Sequence, residues 1–402
     1  MSVEDEMSTT LPRYQAQVIE PGSALIAYRR LIGWSALICF ALIMIGAWVR
    51  LTDAGLGCPD WPGCYGKLTP VQAKDQIAQA VAEQGGDHGP VSMGKAWREM
   101  VHRYIATGLG LLIIGIVVLA WRFRHRLQQS PWLASVTLAV VILQGMFGKW
   151  TVTLLLKPAI VTGHLIGGLL TFSLLFWLWL RTRQAIEALG EGLGSAADAR
   201  SATQRAQAHA PGHQPAHAPS AKAAHAPGHQ ASHAPSPGLQ WLARLGLCMV
   251  AFQIALGGWT STNYAALACP DFPTCQEQWI PRLNFGDAFH VVRELGKTAQ
   301  GDMIDLPALT AIHLSHRIGA VLVLLSLSLL IFTCFRRQVA TGEARWLLLM
   351  LVLQWALGIS NVIFDLPLWV AVAHTGGAVV LLALTLLINF RLQALSRVGQ
   401  GG

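Results

Sequence analysis

Eight uninterrupted apolar runs constrain this chain more than any other feature. They cover roughly residues 31–49, 100–121, 131–148, 159–180, 241–260, 308–333, 346–363 and 368–390. A helix rises 1.5 Å per residue, so runs of this length cross ~30 Å of hydrocarbon. The runs are continuous and lack the alternation of a barrel strand, which argues against a transmembrane β-barrel. The expected fold is all-α: a polytopic membrane protein with eight transmembrane helices. Composition agrees. Of 402 residues only 12% are charged and 53% are hydrophobic, where soluble domains carry ~25% charge. These values exclude a disordered chain and argue against a single soluble domain. The net charge of +8 does not point to nucleic acid, because the Arg residues cluster at the ends of apolar runs. There they orient helices and form no phosphate-binding face.

With eight spans, Arg29/Arg30, Arg122/Arg124/Arg126, Arg181/Arg183, Arg336/Arg337 and Arg391 fall on one side. The positive-inside rule makes that side cytoplasmic. Both termini are then cytoplasmic, and the long loops 50–98 and 261–306 are periplasmic. The N-terminus carries Glu4, Asp5 and Glu6. It is neither a secretory signal nor an Arg-rich transit peptide, so a bacterial inner membrane is the expected location. Residues 185–238 are rich in Ala, Pro, Gly, Gln and Ser, with AHAPGHQ at 208–214 and again at 224–230 and six histidines from His209 to His233. Such a composition cannot bury enough apolar surface to order itself, and it reads as a disordered linker. The expected organisation is a tail (1–30), a four-helix half (31–184), the linker (185–238), a second four-helix half (239–393) and a short tail (394–402).

The halves repeat. GAWVRLTDAGLGCPDWPGC (46–64) aligns with GGWTSTNYAALACPDFPTC (257–275) at an offset of 211. Residues 143–168 align with 353–378 at an offset of 210, and 99–108 with 313–322 at 214. Both halves start and end on the same side. The repeat is therefore parallel, with a pseudo-twofold axis along the membrane normal.

Four histidines occupy repeat-equivalent places: His102, His164, His316 and His374. Ionisable residues in a bilayer are costly and point to function. All four lie near the same face of the membrane. His102 can meet His164, and His316 can meet His374, an arrangement suited to bis-His ligation of haem iron. Gly163, Gly167, Gly168, Gly376 and Gly377 near these ligands either make room for a macrocycle or allow close helix packing. Arg103 and Arg317 follow the first ligand of each half and either meet haem propionates or snorkel to the interface. The halves differ at Glu99, one turn before His102, whose counterpart is His313. A carboxylate beside one haem alone suggests chemistry in the first half and a resident cofactor in the second. Cys58/Cys64 and Cys269/Cys275 have matching spacing on the oxidising side and are expected as disulfides, with a zinc site the lesser alternative.

At these residues the chain resembles the haem A synthase family. The resemblance rests on RLTDAGLGCPDWPGC, on Glu99-Met100-Val101-His102-Arg103, and on His164, His316-Arg317 and His374. It implies an eight-helix oxidoreductase that converts the C8 methyl of haem O to the formyl of haem A for terminal cytochrome oxidases. It also implies substrate haem held by His102, His164 and Arg103, haem B as cofactor on His316, His374 and Arg317, and Glu99 in acid–base steps. Implied partners are haem O, a haem O synthase, an electron acceptor and membrane lipid, with no nucleic acid. A homo-oligomer is compatible with the sequence. The His-Ala-Pro linker and the long first periplasmic loop depart from the family pattern. Two other classes fit part of the pattern: a dihaem b-type electron-transfer cytochrome, and a haem-binding transporter or assembly factor.

Overall fold

The computed structural model describes residues 21–86, 89–127, 129–208 and 235–398. Eight long helices carry the apolar runs: α1 (Pro21–Leu51), α3 (Met93–Arg122), α5 (Trp132–Thr153), α6 (Pro158–Ala208), α7 (Pro237–Thr262), α9 (Leu306–Arg336), α10 (Thr341–Ile363) and α11 (Leu368–Val398). Each holds a segment long and apolar enough to cross a membrane, and the protein is a multi-pass membrane protein. Short helices α2 (Lys74–Glu83), α4 (Arg124–Leu127) and α8 (Phe285–Ala288) lie in the connections.

Local signals set several of the helix ends. The Ser92 hydroxyl accepts from Lys95 N (3.2 Å) at the start of α3. The Asp305 carboxylate accepts from Ala308 N (2.9 Å) at the start of α9. Each satisfies an N–H that has no partner inside its helix. The turns α5–α6 and α10–α11 both use two successive left-handed residues, Leu155/Leu156 and Asp365/Leu366. These pairs are related by the 210-residue offset.

α1, α3, α5 and α6 pack as a ring of four, and α7, α9, α10 and α11 form its counterpart. The rings meet through α1–α11, α6–α7 and α6–α11. One continuous apolar core runs through both, including Ile32, Ile113, Leu175, Leu327, Leu347 and Ile388. The outer surface is also apolar: Trp34, Leu111, Leu325 and Phe332 are each more than 60% exposed. Lipid is the solvent for which that surface is built.

The pseudo-twofold axis is visible as contacts between repeat images. Arg50 donates to the Ser261 carbonyl (2.7 Å), and the Tyr264 hydroxyl donates to Asp53 Oδ1 (2.7 Å). Both pairs are 211 residues apart, and images can touch only near the axis that relates them. Thr162 and Thr262 add a hydroxyl–hydroxyl contact of 3.2 Å between α6 and α7.

Several expected boundaries need correction. α1 begins at Pro21, so 21–30 belong to the first half and not to the tail. α11 continues to Val398. α6 runs to Ala208, so the first part of the expected disordered linker is helical. Residues 185–208 contain eight Ala and no Pro; Ala is the strongest helix former, and its number outweighs the three Gly at 190, 192 and 194. His209 to His233 lie outside the described residues. The long first loop also contains order: α2 buries Ile77 and Ala80 beneath the Cys58/Cys64 loop.

Candidate functional site

The four histidines share one construction. Each ring rests against a glycine of the preceding transmembrane helix. A Cβ added at Gly46 would lie 3.1 Å from His102 Cε1, and at Gly148 3.2 Å from His164 Cε1. At Gly257 it would lie 3.0 Å from His316 Cε1, and at Gly358 3.2 Å from His374 Cε1. These four seats went unrecognised in the sequence, although their shared offset of 210–211 was visible in the aligned segments. The glycines noted there have another task. Gly163 faces Phe147, Gly167 and Gly168 face Gln144, Gly376 faces Met44, and Gly377 faces Gln354. In the structure these five glycines lie against side chains of neighbouring helices.

The His102 and His164 ring centroids are 6.5 Å apart. Two metal–imidazole bonds of ~2.0–2.1 Å end to end require roughly 6 Å between centroids. Nδ1 of His102, His164 and His374, and also of His313, is buried without a hydrogen-bond partner. Buried polar atoms are rarely left so. Among the described residues no three His, Cys, Asp or Glu side chains converge as a metal cage. Pairs of neutral imidazoles suit a metal whose equatorial positions are already filled, as in a porphyrin.

Above each first histidine sits a cysteine loop. Cys58–Cys64 and Cys269–Cys275 are disulfides, with Cα–Cα distances of 4.8 and 4.6 Å, so these sulfurs hold no zinc. The Asp60 carboxylate accepts from Tyr65 N (2.6 Å) and Gly66 N (2.7 Å). Asp271 accepts from Gln276 N (2.6 Å) and Glu277 N (3.0 Å), and from the Thr274 hydroxyl. The Thr274 hydroxyl first, and these N–H groups after it, hold the Asp271 carboxyl below the usual carboxylate range. This loop-closing role of the Asp in CPDWP and CPDFP was not read from the sequence.

The two arginines fasten these loops to their helices. Arg103 donates to the carbonyls of Asp60 (2.8 Å) and Gly63 (2.7 Å). Arg317 donates to those of Thr274 (2.7 Å), Asp271 (2.8 Å) and Cys269 (3.1 Å). The donors named here are directed at loop carbonyls.

Glu99 is 5% exposed. One carboxylate oxygen pairs with Arg103, and the other accepts from Cys58 N at 3.0 Å. His313 stands in its place in the second half, also buried, and its Nε2 accepts from Arg317 Nε at 3.1 Å. His313 is therefore engaged with the arginine, while His316 sits in the glycine seat.

The fold and site define a class: an all-helical, duplicated membrane protein with one half-buried histidine pair per four-helix half, and a buried carboxylate, Glu99, whose image in the second half is His313. A family model described as cytochrome oxidase assembly protein, COX15-CtaA, matches residues 29–210 and 216–386, and the chain belongs to that family. It is 38% identical over 354 residues to a protein named heme A synthase from Shewanella oneidensis, covering 87% of this chain and 92% of that one. Proteins of the same name from Rhizorhabdus wittichii and Halalkalibacterium halodurans are 25% and 24% identical. They cover 87% and 83% of this chain, and 89% and 86% of their own lengths.

Proposed function

We propose that the chain is a haem A synthase that oxidises the C8 methyl of haem O to the formyl of haem A. The observation that carries this reading is the asymmetry of the duplicated site: two equivalent histidine pairs, with a buried carboxylate one turn before His102 and none at its image. In this reading His102 and His164 hold the substrate haem O, and His316 and His374 hold haem B. The bound iron porphyrins supply the redox chemistry that a side chain lacks.

The chain's own residues position and protect. The four glycines leave the rings flush against the neighbouring helix. The disulfide loop is fastened by Arg103 through the Asp60 and Gly63 carbonyls. Glu99 Oε1 and Oε2 lie between Arg103 and Cys58 N, poised to accept or return a proton beside the substrate. The Arg-rich flanks support placement in a bacterial inner membrane with both termini cytoplasmic. The reaction calls for a haem O synthase as supplier and an electron acceptor as partners.

A second reading has one specific observation in its favour. Glu99–Arg103 and His313–Arg317 are the same i, i+4 contact, so Glu99 could serve only to fasten the loop. The protein would then be a dihaem electron-transfer cytochrome. Pigment analysis separates the two. Expressed in a host that makes haem O, the protein should yield haem A. His316→Ala or His374→Ala should lose tightly bound haem B. A full six-coordinate haem B spectrum in both variants would overturn the cofactor assignment, and haem O without haem A would favour the second reading.

A further inference from the structure

Three of the four histidines carry a second shared contact that the fourth lacks. Gln144 Nε2 donates to the His164 carbonyl (2.6 Å), Gln253 Nε2 to the His316 carbonyl (2.8 Å), and Gln354 Nε2 to the His374 carbonyl (3.0 Å). Each Gln lies four residues before the glycine that seats the ring, so clamp and seat share one helix face. The amide also reaches the ring in the second half: Gln253 Nε2 is 3.0 Å from His316 Nδ1, and Gln354 Nε2 is 3.5 Å from His374 Nε2. Room for the amide comes from a glycine three residues after each histidine. A Cβ at Gly167, Gly319 or Gly377 would fall 2.1–2.2 Å from the Gln Oε1. At His102 the corresponding positions hold Leu42 and Ile105. Leu42 has no donor, and Ile105 carries a side chain where the other three sites have glycine.

We infer that Gln144, Gln253 and Gln354 are positioning residues that clamp three of the four haem-ligating histidines, and that the unclamped His102 is the ligand that yields when substrate haem is exchanged. This rests on the haem-binding reading above. A buried amide bonded to the ligand's own backbone fixes the helix turn that aims the ring. Outer partners of metal ligands typically govern affinity by 10–100-fold. The cofactor site has a clamp on both ligands and should retain its haem. The substrate site has one clamped and one free ligand, as a site that must load and release requires.

The test uses the full-length protein in detergent, with haem transfer to apomyoglobin and the low-spin ferric EPR signal as readouts. His316→Ala comes first as a control: if it keeps its haem B, the haem-binding reading itself fails. Once that control loses haem B, Gln253→Leu and, separately, Gln354→Leu should speed haem B release by ~10-fold or more and shift the EPR signal. Gly319→Ala should act through the same amide, so Gln253→Leu with Gly319→Ala should be no worse than the more damaging single change. In the first half, Leu42→Gln with Ile105→Gly should slow release of bound haem O, and Gln144→Leu should speed it. Unchanged release and EPR in both Gln variants of the second half, or fully additive effects of Gln253→Leu and Gly319→Ala, would overturn the clamp. Haem O release unaffected by both first-half changes would overturn the role given to His102.

Discussion

Glu99 is the residue on which the enzymatic reading turns, and its surroundings sharpen the test. The carboxylate is buried, paired with Arg103 and bonded to Cys58 N. Glu99→Gln keeps the shape and can still accept from Cys58 N through its amide oxygen, but it cannot exchange a proton near neutral pH. Haem A formation should fall ~10²-fold or more while haem B occupancy stays, read as the ratio of haem O to haem A in purified protein. Near-normal haem A would leave Glu99 as a loop fastener. The glycine seats give a second residue-scale prediction. At Gly257 an added methyl would meet His316 Cε1 at 3.0 Å, so the ring must move by a few tenths of an ångström. Gly257→Ala should weaken haem B retention ~10-fold with helix content unchanged. Equal retention in the variant and the parent would show that the ring has slack.

At the scale of elements, each cysteine loop is a self-closed unit carried on a helix. Its disulfide, its Asp carboxylate and the arginine below close it from three directions. The Asp271 carboxyl is held below its ordinary range. A depressed carboxyl contributes stability above the unfolded pKa, and that contribution is lost as pH falls through the folded value. The second loop should therefore hold at neutral and mildly acid pH and open only below the usual carboxylate range. Hydrogen exchange at the Gln276 and Glu277 amides checks this, and their deprotection already near neutral pH would contradict it. Helix ends belong to this scale too. The extension of α6 to Ala208 is hidden in the composition of 185–238, where an Ala-rich stretch that favours helix adjoins a Pro- and His-rich one.

For the whole molecule, the question is what keeps two similar bundles together. At the loop end the answer lies on the pseudo-twofold axis. Arg50 donates to the Ser261 carbonyl and lies 3.9 Å from the Tyr264 ring centroid, while Tyr264 bonds Asp53. Arg50→Ala removes a charge-assisted bond and a cation–π contact, at a cost of ~1–3 kcal/mol. Thermal unfolding in detergent should shift down, with haem B occupancy retained at low temperature, because Arg50 touches neither histidine pair. Unaltered unfolding would place the cohesion of the halves wholly in the apolar core.

The sequence by itself determined the spans, the duplication, the four histidines and the cysteine pairs. Each of these is written in local composition or in a fixed offset between two segments. Glu99 stood out because its image is His313, a comparison that needs no coordinates. The tertiary structure decided what depends on a neighbour from a distant helix. It decided which glycines seat rings and which seat side chains, where the arginines direct their donors, and which histidines receive a glutamine. A glycine in a helix carries the same signal whichever side chain lies against it, and only the packing of α1 on α3, or α10 on α11, tells Gly46 and Gly358 from Gly168 and Gly376. The contacts on the axis were equally hidden. Arg50 and Ser261 are aligned by the repeat, but alignment relates positions, and only folding brings a position against its own image.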